Sequence, residues 1–126
     1  MWIRCNPNPL GKQTGDCVVR AIAVATGRSW RGVYRDLCEL GEIECELPNS
    51  NSIWGLYLSD QGFRQFLLPE SCPKCLTVRA FCERYPRGVY VIGTGSHAVA
   101  VMDGDYYDSW DSGSETPSYF FRREYV

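Results

Sequence analysis

The sequence predicts an α+β domain, with helices first and an antiparallel sheet last. Three observations carry that prediction. Apolar residues recur at helical spacing through most of the stretch from Cys17 to Tyr85. After Pro86 the period changes to strand-like alternation. The pair Asp103-Gly104 between two such strands is a strong two-residue hairpin signal. Helices followed by strands, rather than alternating with them, make an α+β layout in one domain, 1–126.

The elements follow in order. CNPNPLGKQTG, from Cys5 to Gly15, is rich in Pro, Asn and Gly and reads as a loop. Asp16 stands as N-cap to a helix from about Cys17 to Thr26, stopped by Gly27. Apolar residues cover most of its circumference, so it is expected to be central and buried. Ser29 caps a second helix, WRGVYRDLCEL, ended by Gly41, with Trp30, Val33, Tyr34, Leu37 and Cys38 facing inward. A third helix covers roughly Ile53 to Gln61, and FRQFLL reads as a strand. Thr77 caps a fourth helix, VRAFCERY, closed by Pro86. GVYVIG, HAVAVM, DYYDSW and SYFFRREYV are the remaining strands.

Composition narrows the function. The chain has 126 residues, 44% hydrophobic and 22% charged, enough to bury a core without disulfides or metal. Its single His excludes sites that need two or more histidines. A net charge of −2, with scattered basic residues, argues against nucleic acid as partner. No apolar run approaches a membrane span, so no membrane partner is expected. The first residues, MWIRCNPNP, lack the features of a signal peptide. With seven Cys, an odd number, this predicts reduced thiols and a cytoplasmic location.

Two segments carry chemistry. Cys17 opens the central helix, where free N–H groups and the helix dipole stabilise a thiolate and can hold an oxyanion. The segment SHAVAVMDGDYYDSWD is a hairpin that contains the only His. A two-residue turn pairs Met102 with Asp105, sets His97 across from Trp110, and puts Asp108 on the face of His97. A carboxylate there orients the imidazole and stabilises its charged form. A three-residue loop would instead put Asp111 opposite His97, but Asp-Gly suits the two-residue turn better. Gly95 and Ser96, in the turn before His97, admit close approach of a substrate backbone. Trp110 is placed to wall the site.

QTGDCVVRAIAVATG, followed by GSHAVAVMDGDYYDSWD, resembles the papain-like cysteine peptidase superfamily, in the small single-domain form found in bacterial or phage proteins. The resemblance spans roughly Gln13 to Asp111 and rests on the order Cys, His, Asp and on the elements that bear them. It implies a papain-like fold with the Cys-bearing helix packed on a C-terminal antiparallel sheet. It also implies Cys17 as nucleophile, His97 as general base and acid, Asp108 as orienting residue, and Gln13 as an oxyanion donor. Gln13 lies nearer the Cys than is usual in papain, and it also reads as a solvated loop residue. The expected activity is hydrolysis of a protein or peptide substrate through an acyl-enzyme, with no cofactor. Acyl transfer to an amine, as in transglutaminase-like enzymes, uses the same order. A non-catalytic protein-binding module on the same fold is the alternative from another class.

The other cysteines read differently. Cys72-Pro73-Lys74-Cys75 is half of a zinc-ribbon pattern and the one metal candidate. Cys82 belongs to a helix core. Arg20, inside the most apolar helix, needs a carboxylate or carbonyl partner if buried, or else snorkels to the surface. Nothing in the pattern sets the oligomeric state.

Overall fold

The computed structural model describes residues 1–68 and 76–124. Its elements run β1 (Trp2–Arg4), α1 (Cys17–Thr26), α2 (Trp30–Glu44), α3 (Asn51–Asp60), β2 (Phe63–Leu67), α4 (Val78–Arg84), β3 (Val89–Gly93), β4 (Ala98–Met102), β5 (Asp105–Asp108) and β6 (Tyr119–Arg123). The fold is α+β, and one sheet of order β1-β5-β4-β3-β6-β2 organises it.

Helices α1, α2 and α3 cover one face of the sheet and α4 covers the other. Val89 and Val91 of β3 and Ala98 and Ala100 of β4 join Ile22, Val33, Leu37 and Trp54 on the first face. The alternate residues Tyr90, Ile92, Val99 and Val101 join Val78, Phe81 and Phe120 on the second. Strands β3 and β4 are buried on both faces, which is why VYVIG and AVAVM read as continuous apolar runs. Full burial of a side chain such as Ile22 or Phe81 stabilises the domain by about 1.5–3 kcal/mol each.

The structure corrects four expectations. First, the sheet is mixed and not wholly C-terminal. β1 pairs parallel with β5, and β2 reaches in from the helical half to pair with β6. β1 has only three residues, too few for alternation to show, and its partner is remote in sequence.

Second, α2 runs through Gly41 to Glu44 and ends at Cys45 in the left-handed region, φ 54 and ψ 45. Gly41 marks a close approach: a Cβ there would stand 2.6 Å from the Glu46 carbonyl oxygen. Third, α3 begins at Asn51, with Ser50 at the N-cap position but without a side-chain cap. Fourth, Asp16 makes no side-chain hydrogen bond to the start of α1, because other groups claim its carboxylate. On α2, Val33 and Leu37 are buried as expected, whereas Tyr34 is half-exposed and stacks on Trp30.

Among the described residues, no helix is long and apolar enough to cross a membrane.

Candidate functional site

Cys17 is the first residue of α1, His97 immediately precedes β4, and Asp108 ends β5. Asp103 and Gly104 take φ of 49 and 84, which lets β4 and β5 join by a two-residue turn. The resulting register pairs Met102 with Asp105, Val101 with Tyr106 and Ala100 with Tyr107. It carries Asp108 to the end of the hairpin where His97 sits. His97 Nε2 lies 2.6 Å from Asp108 Oδ2. α1 packs across β4, so the Cys17 thiol and the His97 ring line the same cleft and interact electrostatically. With Nε2 engaged by Asp108, Nδ1 is the ring nitrogen left for the thiol.

The electrostatics follow from these contacts. Burial pushes the Cys17 thiol up, but hydrogen bonds from His97 and Ala98, with the charges of His97 and Arg20, outweigh it and leave the thiol below its ordinary value. Burial opposes the charged form of His97 too. Its hydrogen bonds to Asp108 and Cys17 prevail and lift it from 6.5 to about 9. Asp108 is likewise pushed up by burial, then brought below its ordinary value by His97, Ser112 and Ser109. All three shifts run toward the charged forms: thiolate, imidazolium and carboxylate.

Asp108 is held by both carboxylate oxygens and by its carbonyl. Ser112 Oγ donates to Oδ2 at 2.7 Å and the Ser109 N–H to Oδ1 at 2.8 Å. Arg20 Nη2 lies 3.3 Å from Oδ1. The Asp108 carbonyl accepts from Trp2 Nε1 at 3.1 Å and the Cys5 N–H at 2.9 Å. Strand β1 thus anchors the backbone of the residue that orients His97. Arg20 is buried and does not snorkel. Its guanidinium also pairs with Asp16, whose Oδ2 accepts from Trp30 Nε1 at 2.9 Å and Asn8 Nδ2 at 3.2 Å. Two buried carboxylates therefore share one buried cation, the arrangement that makes such charges tolerable.

Gly95, Ser96, Cys17 and His97 line a cleft of about 270 Å³ together with Asn49, Asn51, Trp54 and Tyr119. Gly95 has φ +88, so the turn that delivers His97 needs a glycine there. Trp110 lies against His97, ring centroids 4.8 Å apart, and is 44% exposed. Gln13 is exposed and is not part of this lining. Its loop folds on itself instead, with Asn6 Nδ2 bonded to the Lys12 carbonyl and the Gly11 N–H to the Asn8 carbonyl. Asp111, the alternative partner for His97, is taken by the Tyr106 hydroxyl at 2.5 Å and by Arg79 at 3.6 Å.

Sequence reasoning missed Ser112, Asn49, Asn51 and Tyr119. None has a local signal. The one clue for Tyr119 is Gly93, its cross-strand partner, where a Cβ would stand 2.4 Å from the tyrosine ring.

Cys5, Cys17, Cys38, Cys45 and Cys82 are free thiols, and Cys82 is in the core, pushed up to about 11 by burial. The zinc candidates Cys72 and Cys75 lie outside the described residues. Among the described residues, no group of three or more His, Cys, Asp and Glu is placed to hold a metal ion. Compared with known proteins, the chain matches no protein-family model, no curated protein and no solved structure.

Proposed function

We propose that the protein is a cysteine-dependent acyl-transfer enzyme of papain-like type, in the first instance a peptidase or isopeptidase. One observation carries this reading: Cys17 and His97 line one open cleft, and the His97 ring is held there by the Asp108 carboxylate.

In the proposed reaction, the Cys17 thiolate attacks an amide carbonyl carbon and forms a C–S bond. The backbone N–H of Cys17 meets the developing oxyanion, since α1 opens without a side-chain cap. His97 gives its proton to the leaving nitrogen, the C–N bond breaks, and an acyl-enzyme remains. A water then attacks the acyl carbon. His97 takes its proton, the C–S bond breaks, and a carboxylic acid leaves with the thiolate restored. An amine in place of water completes a transfer with the same proton movements. Asp108 holds the ring and its charge throughout.

Iodoacetamide at pH 6, with mass-spectrometric readout, tests the reading. Cys17 is expected to label at least about tenfold faster than any other thiol. His97→Ala is expected to abolish that advantage. Uniform labelling of the thiols would overturn the proposal and favour a binding module on this fold.

A further inference from the structure

Arg20 is a buried charge in a helix whose other buried residues, Val19, Ala21, Ile22, Ala23 and Ala25, are all apolar. A buried Asp–Arg–Asp triad is weak evidence for stability, since apolar residues of similar volume serve a core as well. The identity of its partners gives the triad another role. Asp16 immediately precedes Cys17, and Asp108 orients His97.

The two arms of one guanidinium reach the two carboxylates. Nη1 pairs with Asp16 Oδ1 and lies 3.4 Å from the Thr14 carbonyl, whereas Nη2 lies 3.3 Å from Asp108 Oδ1. The planar fork sets the spacing of its acceptors, which an ammonium on a flexible stem does not. Both ends of the bridge are themselves fixed. Trp30 of α2 and Asn8 hold Asp16 Oδ2, and Trp2 and Cys5 hold the Asp108 carbonyl. With Oδ1 of Asp108 taken by Arg20 and the Ser109 N–H, Oδ2 is turned to His97 and Ser112. The titratable groups around the guanidinium are Asp16 before α1, Cys17 on it, Asp108 on β5 and Cys5 after β1. His97 meets the bridge through Asp108, and Tyr119 of β6 faces Cys17.

We infer that Arg20 is a positioning residue for Cys17 and His97: its fork ties the start of α1 to the end of β5 and so fixes the thiol against the imidazole. The inference rests on the acyl-transfer reading for its purpose, and its geometry can be measured without catalysis.

Arg20→Lys keeps the charge and removes the fork. Asp16→Asn cuts the α1 arm and leaves Arg20 on Asp108. Two readouts are compared with the unmodified protein: the iodoacetamide labelling rate of Cys17 across pH, and the NMR signal of the proton between His97 Nε2 and Asp108, assigned by its loss in His97→Gln. Charge alone predicts an unchanged rate in Arg20→Lys and a faster one in Asp16→Asn, because removing an anion beside Cys17 favours the thiolate. Positioning predicts the reverse for both: at pH 6 each variant is expected to label at Cys17 at least about tenfold more slowly. Arg20→Lys is also expected to weaken the His97–Asp108 proton signal. Circular dichroism confirms folding, and either variant alone decides if the other fails to fold. An unchanged rate in Arg20→Lys, or a faster rate in Asp16→Asn, would overturn the inference while selective labelling of the unmodified protein keeps the catalytic reading. Uniform labelling of the unmodified protein removes the catalytic reading. The proton signal then decides alone: its loss in Arg20→Lys supports the positioning role, and its persistence overturns it.

Discussion

Helices α1 and α4 begin alike in sequence and differently in space. Each is preceded by a residue type that favours an N-cap, Asp16 for α1 and Thr77 for α4. Thr77 does what its type predicts: its hydroxyl accepts from the Ala80 N–H at 3.1 Å. The Asp16 carboxylate turns away to Arg20, Trp30 and Asn8. The difference lies in the partners. Thr77 has none stronger than its own helix, whereas Asp16 faces a buried guanidinium, and a charged hydrogen bond outcompetes a neutral cap. α1 thereby opens toward the cleft with no side chain across its first N–H groups, and α4 closes its own.

The comparison can be broken most forcefully at Arg20. Arg20→Met leaves Asp16 and Asp108 buried without their cation. Urea denaturation is expected to show a loss of about 3–5 kcal/mol. A loss below about 1 kcal/mol would mean that the two carboxylates do not depend on Arg20. Asp16→Ser makes α1 resemble α4 by supplying a neutral cap. It also deprives Trp30 Nε1 and Arg20 of an acceptor, so a net loss of about 1–3 kcal/mol is expected by the same measurement. An unchanged or raised stability would show that capping outweighs the network.

The pH dependence sharpens the contrast further. His97 is raised from 6.5 to about 9 in the fold, so its protonation adds stability that is full below about pH 6.5 and is lost as pH rises through about 9. Cys17 is lowered, so its contribution has the opposite sense. It is present above the ordinary thiol range and lost as pH falls through the folded value. In Cys17→Ser the thiolate contribution is absent. Urea midpoints, compared with those of Cys17→Ser/His97→Gln, are expected to show an advantage below pH 6.5 that is lost as pH rises, and lost before about pH 9 because the Cys17 share of the His97 shift is gone. An advantage that grows with pH would mean that His97 is buried in its neutral form. The smallest effect is expected at α4. Thr77→Ala should cost about 1 kcal/mol and leave the Cys17 labelling rate unchanged.

Much of this arrangement was legible in the chain. The Asp-Gly turn set the register of β4 on β5, and the register put Asp108 rather than Asp111 beside His97. Local signals placed α1 from Cys17 to Thr26 and stopped it at Gly27. Other features had no local signature. β1 is three residues long, yet with Cys5 it holds the Asp108 carbonyl through Trp2 Nε1 and a backbone N–H. Gly41 reads as a helix stop until the Glu46 carbonyl is seen against it. Gln13 has the residue type of an oxyanion donor, but it is exposed and does not line the cleft.

By itself the sequence determined the α+β class, the helix that begins at Cys17, and the hairpin that sets His97 beside Asp108. These depend on periodicity, turn chemistry and strand parity, which act over a few residues. Only the tertiary structure decided that Arg20 joins Asp16 to Asp108, that β1 closes the sheet edge behind Asp108, and that Asn49, Asn51 and Tyr119 wall the cleft. Those contacts join residues far apart in the chain. Their partners are selected by the burial of charge and by close approach, and neither leaves a periodic trace in the sequence.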